Sequence, residues 1–305
     1  MSGGLVHDAL LYRSLPEYVD RVGAFVAGGV DSGEPVLVAV PGPRIAALRA
    51  GLDGAAAGVR FVDMRRVGAN PARIIPFVRA WVDGNDAGPA RFVGEPIWPG
   101  RRRCEALEAT RHESLINLAF ADADVHIVCP YDAGRLDARV VADAYRTHPT
   151  VVDEDGRRPS DRYTDPSVLC PSVGLPPPPA RADISSLDVT SDLARVRRFV
   201  CERAAGILPR ERLDAMLLAV NEAATNALIH GGKHGVVRIW ADDEHFVCEV
   251  ADDGRLGDPL AGRHVPDARS SGGRGMWMIN QLCDLVELHA EPSQTTLRMH
   301  MTLAG

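Results

Sequence analysis

The chain has 305 residues, 46% of them hydrophobic, and a net charge of −7. That length suits two domains better than one, and that apolar content suits packed cores rather than disorder. The acidic balance argues against a general nucleic-acid binder, so no direct nucleic-acid partner is expected; the obvious local basic run is Arg101-Arg102-Arg103.

No stretch of eighteen apolar residues occurs, so neither a membrane span nor a membrane partner is expected. The opening MSGGLVHDALLYRS lacks the basic-then-apolar order of a secretory signal. Cysteines stand at 104, 129, 170, 201, 248 and 283 with no CxxC spacing. The pattern predicts neither a disulfide framework nor a zinc site, and a reducing cytoplasm is the expected compartment.

Apolar runs at 35–40, 59–64, 90–95, 125–130 and 150–153 predict strands. Between them, RIAALRAGL, ARIIPFVRAWV, CEALEATRHESLINLAF and LDARVVADAYRTH predict helices. Strands this apolar, alternating with amphipathic helices, imply a parallel sheet covered on both faces: a doubly wound α/β domain. Ligands of such domains sit at the carboxyl ends of strands. After the 35–40 strand comes Pro41-Gly42-Pro43-Arg44, where two prolines remove backbone donors and no Lys-Ser/Thr follows, so a P-loop is not expected.

The opening HDALLYRSLPEYVDRVGAFVAGGVDSGEPVLVAVP, continued by NPARIIPFVR, GEPIWPGRR, RHESLINLAF and CPYD, resembles the methanogen/methylotroph (DcmR-type) sensory domain, MEDS. The resemblance covers about the first 165 residues by eye and implies a ligand-sensing role on a RecA-like fold, with a small molecule as the expected ligand. His7, Tyr12, Glu95, Trp98, Arg101, His112, Cys129 and Tyr131 are candidates because they lie in these blocks near predicted strand ends; each also has an ordinary structural explanation. Arg111-His112-Glu113-Ser114-Leu115 looks like a sensor kinase's phospho-accepting histidine, but that residue belongs on a helical hairpin directly ahead of the ATPase domain.

Pro176-Pro177-Pro178-Pro179 predicts a stiff polyproline spacer. The expected division is therefore 1–165, a proline-rich linker over 166–184, and 185–305. Beyond the linker, 190–206 has helical periodicity with capping candidates Thr190 and Ser191. A second helix opens at Pro209 and stops at Gly231-Gly232. VVRIWA and FVCEVAD predict antiparallel strands, followed by DDGRLGDP, a polar loop from 261 to 271, SGGRGMWMINQLCDLVEL and TTLRMHMTL. Helices grouped with an antiparallel sheet describe a two-layer α/β sandwich.

Within the second helix, Glu222 and Asn226 stand at i and i+4 on one otherwise apolar face. Such a pair is either a satisfied core hydrogen bond or a site, and its spacing leaves both open. Two further signals follow: Asp252-Asp253-Gly254 at a strand end, and Gly272-Gly273-Arg274-Gly275 at a helix start, where unblocked amides and the helix dipole favour an anion.

This order resembles the N, G1 and G2 boxes of the GHKL (HATPase_c) superfamily: gyrase, the ninety-kilodalton chaperones, histidine kinases and mismatch-repair ATPases. The closer likeness, over about 185–303, is to anti-sigma factor serine/threonine kinases, with EAxTNAxxH, DxG and GxGxxxI. The resemblance implies ATP and Mg²⁺ as cofactors, with Asn226 as the metal ligand, Asp252 accepting from the adenine amino group and Thr295 at the adenine end. It implies backbone approach to the nucleotide at Gly254, Gly273 and Gly275, and Glu222 as general base. Arg274 is added by inference as a counter-charge to the phosphate. His230 and His234 read as ordinary helix-end residues. One departure is that the second glycine of DxGxG falls a position late, in Asp252-Asp253-Gly254-Arg255-Leu256-Gly257.

The expected function is an ATP-binding anti-sigma regulatory factor with serine/threonine kinase activity on an anti-anti-sigma (STAS-type) antagonist. A sigma factor is the other expected partner, the N-terminal domain the controller, and a homodimer is compatible with the resemblance. The alternatives are a non-catalytic sigma-binding clamp and a sensor histidine kinase phosphorylated on His112.

Overall fold

The computed structural model describes residues 4–85, 88–180, 182–189, 192–232, 234–267 and 273–303. The chain divides into two compact units, residues 1–169 and 170–305. In chain order the first contains β1 (Val6–Tyr12), α1 (Leu15–Asp31), β2 (Val36–Val40), α2 (Gly42–Leu52), β3 (Val59–Asp63), α3 (Met64–Val67), α4 (Ile74–Asp83), β4 (Ala90–Gly94), α5 (Arg103–Ala119), β5 (Val125–Asp132), α6 (Ala138–Thr147), β6 (Thr150–Asp153) and β7 (Gly156–Pro159). The sheet order is β3-β2-β4-β5-β1-β6-β7. Every pairing is parallel except the β6–β7 hairpin. All five residues of β2 are buried, the pattern of a strand covered on both faces.

The strands predicted from apolar runs are present, but the runs do not reveal β1, which lies between β5 and β6 in the middle of the sheet. His7 and Asp8 break its apolar character. Asp8 is tolerated there because its carboxylate accepts from Arg157 Nε and Nη2 at 2.9 and 3.0 Å and lies 2.9 Å from His126 Nε2. Burial alone would raise this carboxyl; His126 and Arg157 outweigh it and hold it at about 2. α1 begins sharply because Ser14 Oγ accepts from Glu17 N–H while Glu17 accepts from Arg13 N–H.

At the carboxyl ends of the parallel strands, four polar groups share one buried cluster. Arg44, at the start of α2, donates to the Tyr12 hydroxyl at 2.8 Å and to Asp132 at 3.0 Å. The Tyr12 hydroxyl donates to Glu95 Oε1 at 3.3 Å, while Arg44 Nε stays 4.0 Å from that carboxylate. Arg44 is thus better matched to Asp132 than to Glu95. Burial pushes the Glu95 carboxyl up to about 8 despite the guanidinium.

α7 (Pro166–Ser172) crosses the sequence position that divides the units. The proline stretch is not wholly solvated, since the Pro176 carbonyl accepts from Arg298 at 2.8 Å. The second unit then contains β8 (Ser185–Asp188), α8 (Leu193–Ala204), α9 (Arg210–His230), β9 (Gly235–Ala241), β10 (His245–Asp252), α10 (Arg274–Leu282), β11 (Leu285–Glu291) and β12 (Gln294–Thr302). Its sheet, β11-β12-β10-β9-β8, is antiparallel throughout. Thr190 and Ser191 lie outside the described residues; Asp192 caps α8 by accepting from Arg195 N–H at 3.2 Å.

The core of this unit sets Met216, Val220, Ala223 and Ala227 of α9 against Val237, Ile239, Cys248, Val250, Leu297 and Met299 of the sheet. Alanines on that face let α9 lie close to the strands. Residues 273–288 separate into α10 and β11 at Cys283-Asp284, where the Asp284 carboxylate accepts from Thr302 N–H at 2.7 Å. Among the described residues no helix is long and apolar enough to cross a membrane.

Glu95 makes stability depend on pH with a definite sign. Its folded value, about 8, lies above the ordinary 4.5, so between these values the folded chain keeps a proton that the unfolded chain has released. The contribution is complete below pH 4.5 and is lost as pH rises through 8. Thermal melts of the full chain should therefore show a fall in Tm between pH 5 and 8 that is shallower in Glu95→Gln; identical slopes would refute this account.

Candidate functional site

Glu222 and Asn226 are both half-buried on α9. The first turn of α10 lies directly against them, and Gly275 makes that approach possible. A Cβ at Gly275 would lie 2.9 Å from Glu222 Oε2 and 3.6 Å from Asn226 Nδ2. Gly273, the N-cap of α10, has φ of +81°, a left-handed conformation that glycine adopts without a Cβ penalty. The two glycines leave the first amides of α10 uncovered beside a carboxylate and a carboxamide.

At the opposite end, Asp252 closes β10 and stands across from Thr295 of β12 and Gly235 of β9. Its Oδ1 accepts from Gly254 N–H at 2.8 Å, while Thr295 Oγ1 donates to the Gly254 carbonyl at 3.0 Å. The Asp-Asp-Gly turn is held from both sides. Burial lifts the Asp252 carboxyl above its ordinary value, opposed by the Gly254 amide. A Cβ on Gly254 would lie 2.5 Å from the His230 carbonyl oxygen, and one on Gly231 would lie 2.7 Å from Asp252 Cβ. The end of α9 therefore rests on the end of β10 through glycine-to-backbone contact.

Between these ends is a cleft of about 470 Å³. Asn226, Asp252, Gly254, Gly273, Gly275 and Thr295 all line it, as does Gly257. Glu222 reaches its edge beside Gly275, and Arg274 is exposed between the two lining glycines. A Cβ on Gly257 would meet nothing within 4 Å, so the late second glycine answers no steric need here. Val250, Met276, Leu288 and Leu297 supply an apolar wall. Volume and lining suit a flat apolar ring with a polar tail. Gly272 and residues 268–271 of the polar loop lie outside the described residues.

Several lining residues are absent from the sequence-based set, among them His230, Arg255, Asp258 and Met276. Asn280 is another omission: it donates to the Gly262 carbonyl at 2.9 Å, tying the start of the 261–271 loop to α10. Its signal is an amide on a helix among apolar residues, the same signal as Asn226.

The N-terminal candidates sort differently. Tyr12 and Glu95 belong to the Arg44 cluster. Arg101 stacks 4.3 Å over Trp98 and donates to the Gly68 and Ala69 carbonyls at 2.7 and 3.0 Å, so both residues brace a loop. Burial lowers the Arg101 guanidinium to about 10, against the pull of Glu105. His112 is 1% exposed on α5, which does not suit a residue that must receive phosphate. Tyr131 is buried, edge-on to His148 at 5.6 Å.

His7 and Cys129 meet inside the unit, together with Glu113 and His148. The four come from separate elements, a convergence to which local cysteine spacing is blind. None of the six cysteines is in a disulfide.

Residues 6–149 match the model of the MEthanogen/methylotroph, DcmR Sensory domain family, MEDS. Residues 187–301 match that of the Histidine kinase-like ATPase domain. The chain therefore carries a MEDS sensory domain ahead of a histidine kinase-like ATPase domain. No curated protein matches. Among solved structures, the crystal structure of the RsbU and RsbW domains of Rv1364c from Mycobacterium tuberculosis is similar at 21% identity with a TM-score of 0.30, covering 40% of this chain. The match spans about a third, 32%, of that protein's chain.

Gly254 gives a direct check on the packing of the cleft. The atom its Cβ would strike is the His230 backbone oxygen, which no rotamer change can move aside. Gly254→Ala should destabilise the protein by about 1–3 kcal/mol, the usual cost of overpacking, whereas Gly257→Ala should leave Tm unchanged. Equal Tm values for the two variants would contradict the observed packing.

Proposed function

We propose that this chain, a MEDS sensory domain joined to a histidine kinase-like ATPase domain, is an ATP-binding anti-sigma regulatory factor. Its C-terminal domain phosphorylates a serine or threonine of an anti-anti-sigma (STAS-type) antagonist, and its other partner is a sigma factor. In this reading residues 1–165 sense a small molecule, 166–184 link, and 185–305 bind nucleotide. The carrying observation is that one cleft has a carboxylate and a carboxamide against the glycine start of α10 at one end and the Asp252–Thr295 pair at the other.

The residues fit ATP and Mg²⁺. Gly254, Gly273 and Gly275 form a cradle from which side chains are absent, and the amide ends of α10 favour an anion. Asp252 and Thr295 provide polar groups at the end lined by Val250, Leu288 and Leu297, suited to an adenine ring. Asn226 offers the oxygen of a neutral amide, a donor appropriate to a hard cation that retains most of its waters. When bound, the nucleotide supplies the phosphoryl group and the cation screens its charge.

The chain's own contribution is positioning and proton transfer. The antagonist hydroxyl oxygen forms its bond to the terminal phosphorus as the bond to the departing diphosphate breaks. Glu222 accepts the hydroxyl proton. Arg274, exposed beside the cradle, offsets negative charge on the group in transit.

The clamp alternative predicts sigma binding with no phosphoryl transfer. The histidine-kinase alternative requires acid-labile phosphate on His112 and is disfavoured by that residue's burial.

In assays with Mg²⁺-ATP and a serine-bearing STAS-type protein, Glu222→Gln should lower phosphoryl transfer at least about 100-fold, the low end of a general base's contribution. ATP affinity by calorimetry should change only slightly. Asn226→Ala should instead abolish the Mg²⁺-dependent part of ATP binding. Undiminished transfer by Glu222→Gln would remove Glu222 as the base.

A further inference from the structure

The buried group of His7, Glu113, Cys129 and His148 is drawn from four places in the first unit. His7 is on β1, Cys129 on β5, Glu113 on α5, and His148 directly follows α6. None is more than 2% exposed. One ligand atom from each lies within 4.8 Å of all the others. His7 Nε2 and His148 Nε2 each stand 3.4 Å from Glu113 Oε2, and Cys129 Sγ stands 3.5 Å from His7 Nε2.

The two nitrogen–oxygen separations are long for charge-assisted hydrogen bonds, which run about 2.7–2.9 Å, while Cys129 Sγ is within hydrogen-bond reach of His7 Nε2. All of these separations match the edges of a coordination tetrahedron. With metal–nitrogen bonds of about 2.0–2.1 Å, an edge is about 1.6 times longer, or about 3.3–3.4 Å. A nitrogen–sulfur edge, with a metal–sulfur bond of about 2.3 Å, is about 3.6 Å.

The surrounding hydrogen bonds fix which ring nitrogens face inward. Asn117 Nδ2 donates to the Ser114 and Thr147 carbonyls at 3.0 and 2.8 Å, leaving its Oδ1 to accept from His7 Nδ1 at 3.0 Å. His148 Nδ1 lies 2.9 Å from the Ala144 carbonyl, which can only accept. In their neutral form both imidazoles therefore carry their proton on Nδ1 and turn an Nε2 lone pair toward the Glu113 carboxylate. Neither Glu113 oxygen nor His148 Nε2 has a hydrogen-bond partner among the described residues. The Glu113 carboxylate and the His148 Nε2 lone pair converge in a dry interior and repel one another unless a proton or a cation lies between them.

We propose that His7 Nε2, Glu113, Cys129 Sγ and His148 Nε2 form a closed tetrahedral site for a divalent transition-metal ion of the zinc class. Two imidazoles, one thiolate and one carboxylate are a borderline-soft set, unsuited to Mg²⁺ or Ca²⁺. Metal binding releases the Cys129 thiol proton to solvent, and the thiolate and carboxylate charges then balance the ion. All four donors come from the protein, so the ion ties helices to the sheet and activates no water. Asn117 and the Ala144 carbonyl orient the two imidazoles. The site is independent of the C-terminal nucleotide reading, and its failure would leave that reading intact.

The test uses the full chain, stripped with a chelator and titrated with Co²⁺. One equivalent should give the intense visible bands of tetrahedral cobalt and a thiolate-to-cobalt charge-transfer band, both displaced by one equivalent of Zn²⁺. Cys129→Ser should lose the charge-transfer band, and His148→Ala should bind Zn²⁺ at least about tenfold more weakly. If either variant misfolds, zinc-edge X-ray absorption on the wild-type chain decides. One sulfur at about 2.3 Å with nitrogen and oxygen at about 2.0–2.1 Å supports the site. A shell of nitrogen and oxygen alone, weak octahedral cobalt bands, or a charge-transfer band retained in Cys129→Ser overturns it.

Discussion

The C-terminal cleft depends on backbone approach where side chains are missing. Gly275 lets α10 come down on Glu222 and Asn226, while Gly231 and Gly254 let the end of α9 rest on the end of β10. These approaches set the two ends of the cavity, because α9 is common to both. Glycine is costly in a helix, about 1 kcal/mol relative to alanine, so Gly275 inside α10 needs a reason. The reason is the carboxylate oxygen a Cβ would crowd. The geometry of the cleft and the geometry of the fold are here the same contact.

The same logic shows which parts of the site could be read from the sequence. Glu222-x-x-x-Asn226, Asp252-x-Gly254 and Gly273-Arg274-Gly275 were legible because each is local: a helix turn, a strand end and a helix start. Asn280 and Met276 were not, because their importance comes from the return of α10 against Gly262 and the sheet. The strands of the first unit were legible as apolar runs except β1, whose His7 and Asp8 disguise a central strand. Asp8 is stabilised by Arg157 and His126, partners remote in sequence, and no periodicity anticipates them. Of the His7–Glu113–Cys129–His148 cluster, His7 and Cys129 registered as separate candidates, whereas Glu113, His148 and their convergence did not, because each is a lone polar residue in an otherwise ordinary segment.

Buried polar groups therefore divide by what meets them. Asp8, Arg101 and Glu249 are enclosed but matched: Asp8 by Arg157, Arg101 by loop carbonyls, and Glu249 by Arg238 and Arg298 at 2.8 and 2.7 Å. Removing one partner from such a set leaves a desolvated charge, so these residues hold structure. The Arg44 cluster is intermediate, since one guanidinium faces two carboxylates and closely matches only Asp132. Burial raises the Glu95 carboxyl to about 8 although the Arg44 guanidinium and the Tyr12 hydroxyl both favour its charged form.

Groups whose matching is incomplete within the protein are the ones that point outward in function. Asp252 keeps one oxygen on the Gly254 amide while lining an apolar-walled cleft, an arrangement suited to an amino group arriving from outside. Glu113 and His148 are fully buried, and their acceptor atoms face one another 3.4 Å apart without a recorded hydrogen bond. Desolvation strengthens this repulsion, and a neutral ring cannot turn a donor inward without losing its Nδ1 bond. A fold that brought such atoms together without compensation would lose stability at each of them. In the readings proposed above, convergence in both units is complementarity to a charge or hydrogen-bond donor from outside the chain: a nucleotide in the open cleft, and a cation in the sealed cluster.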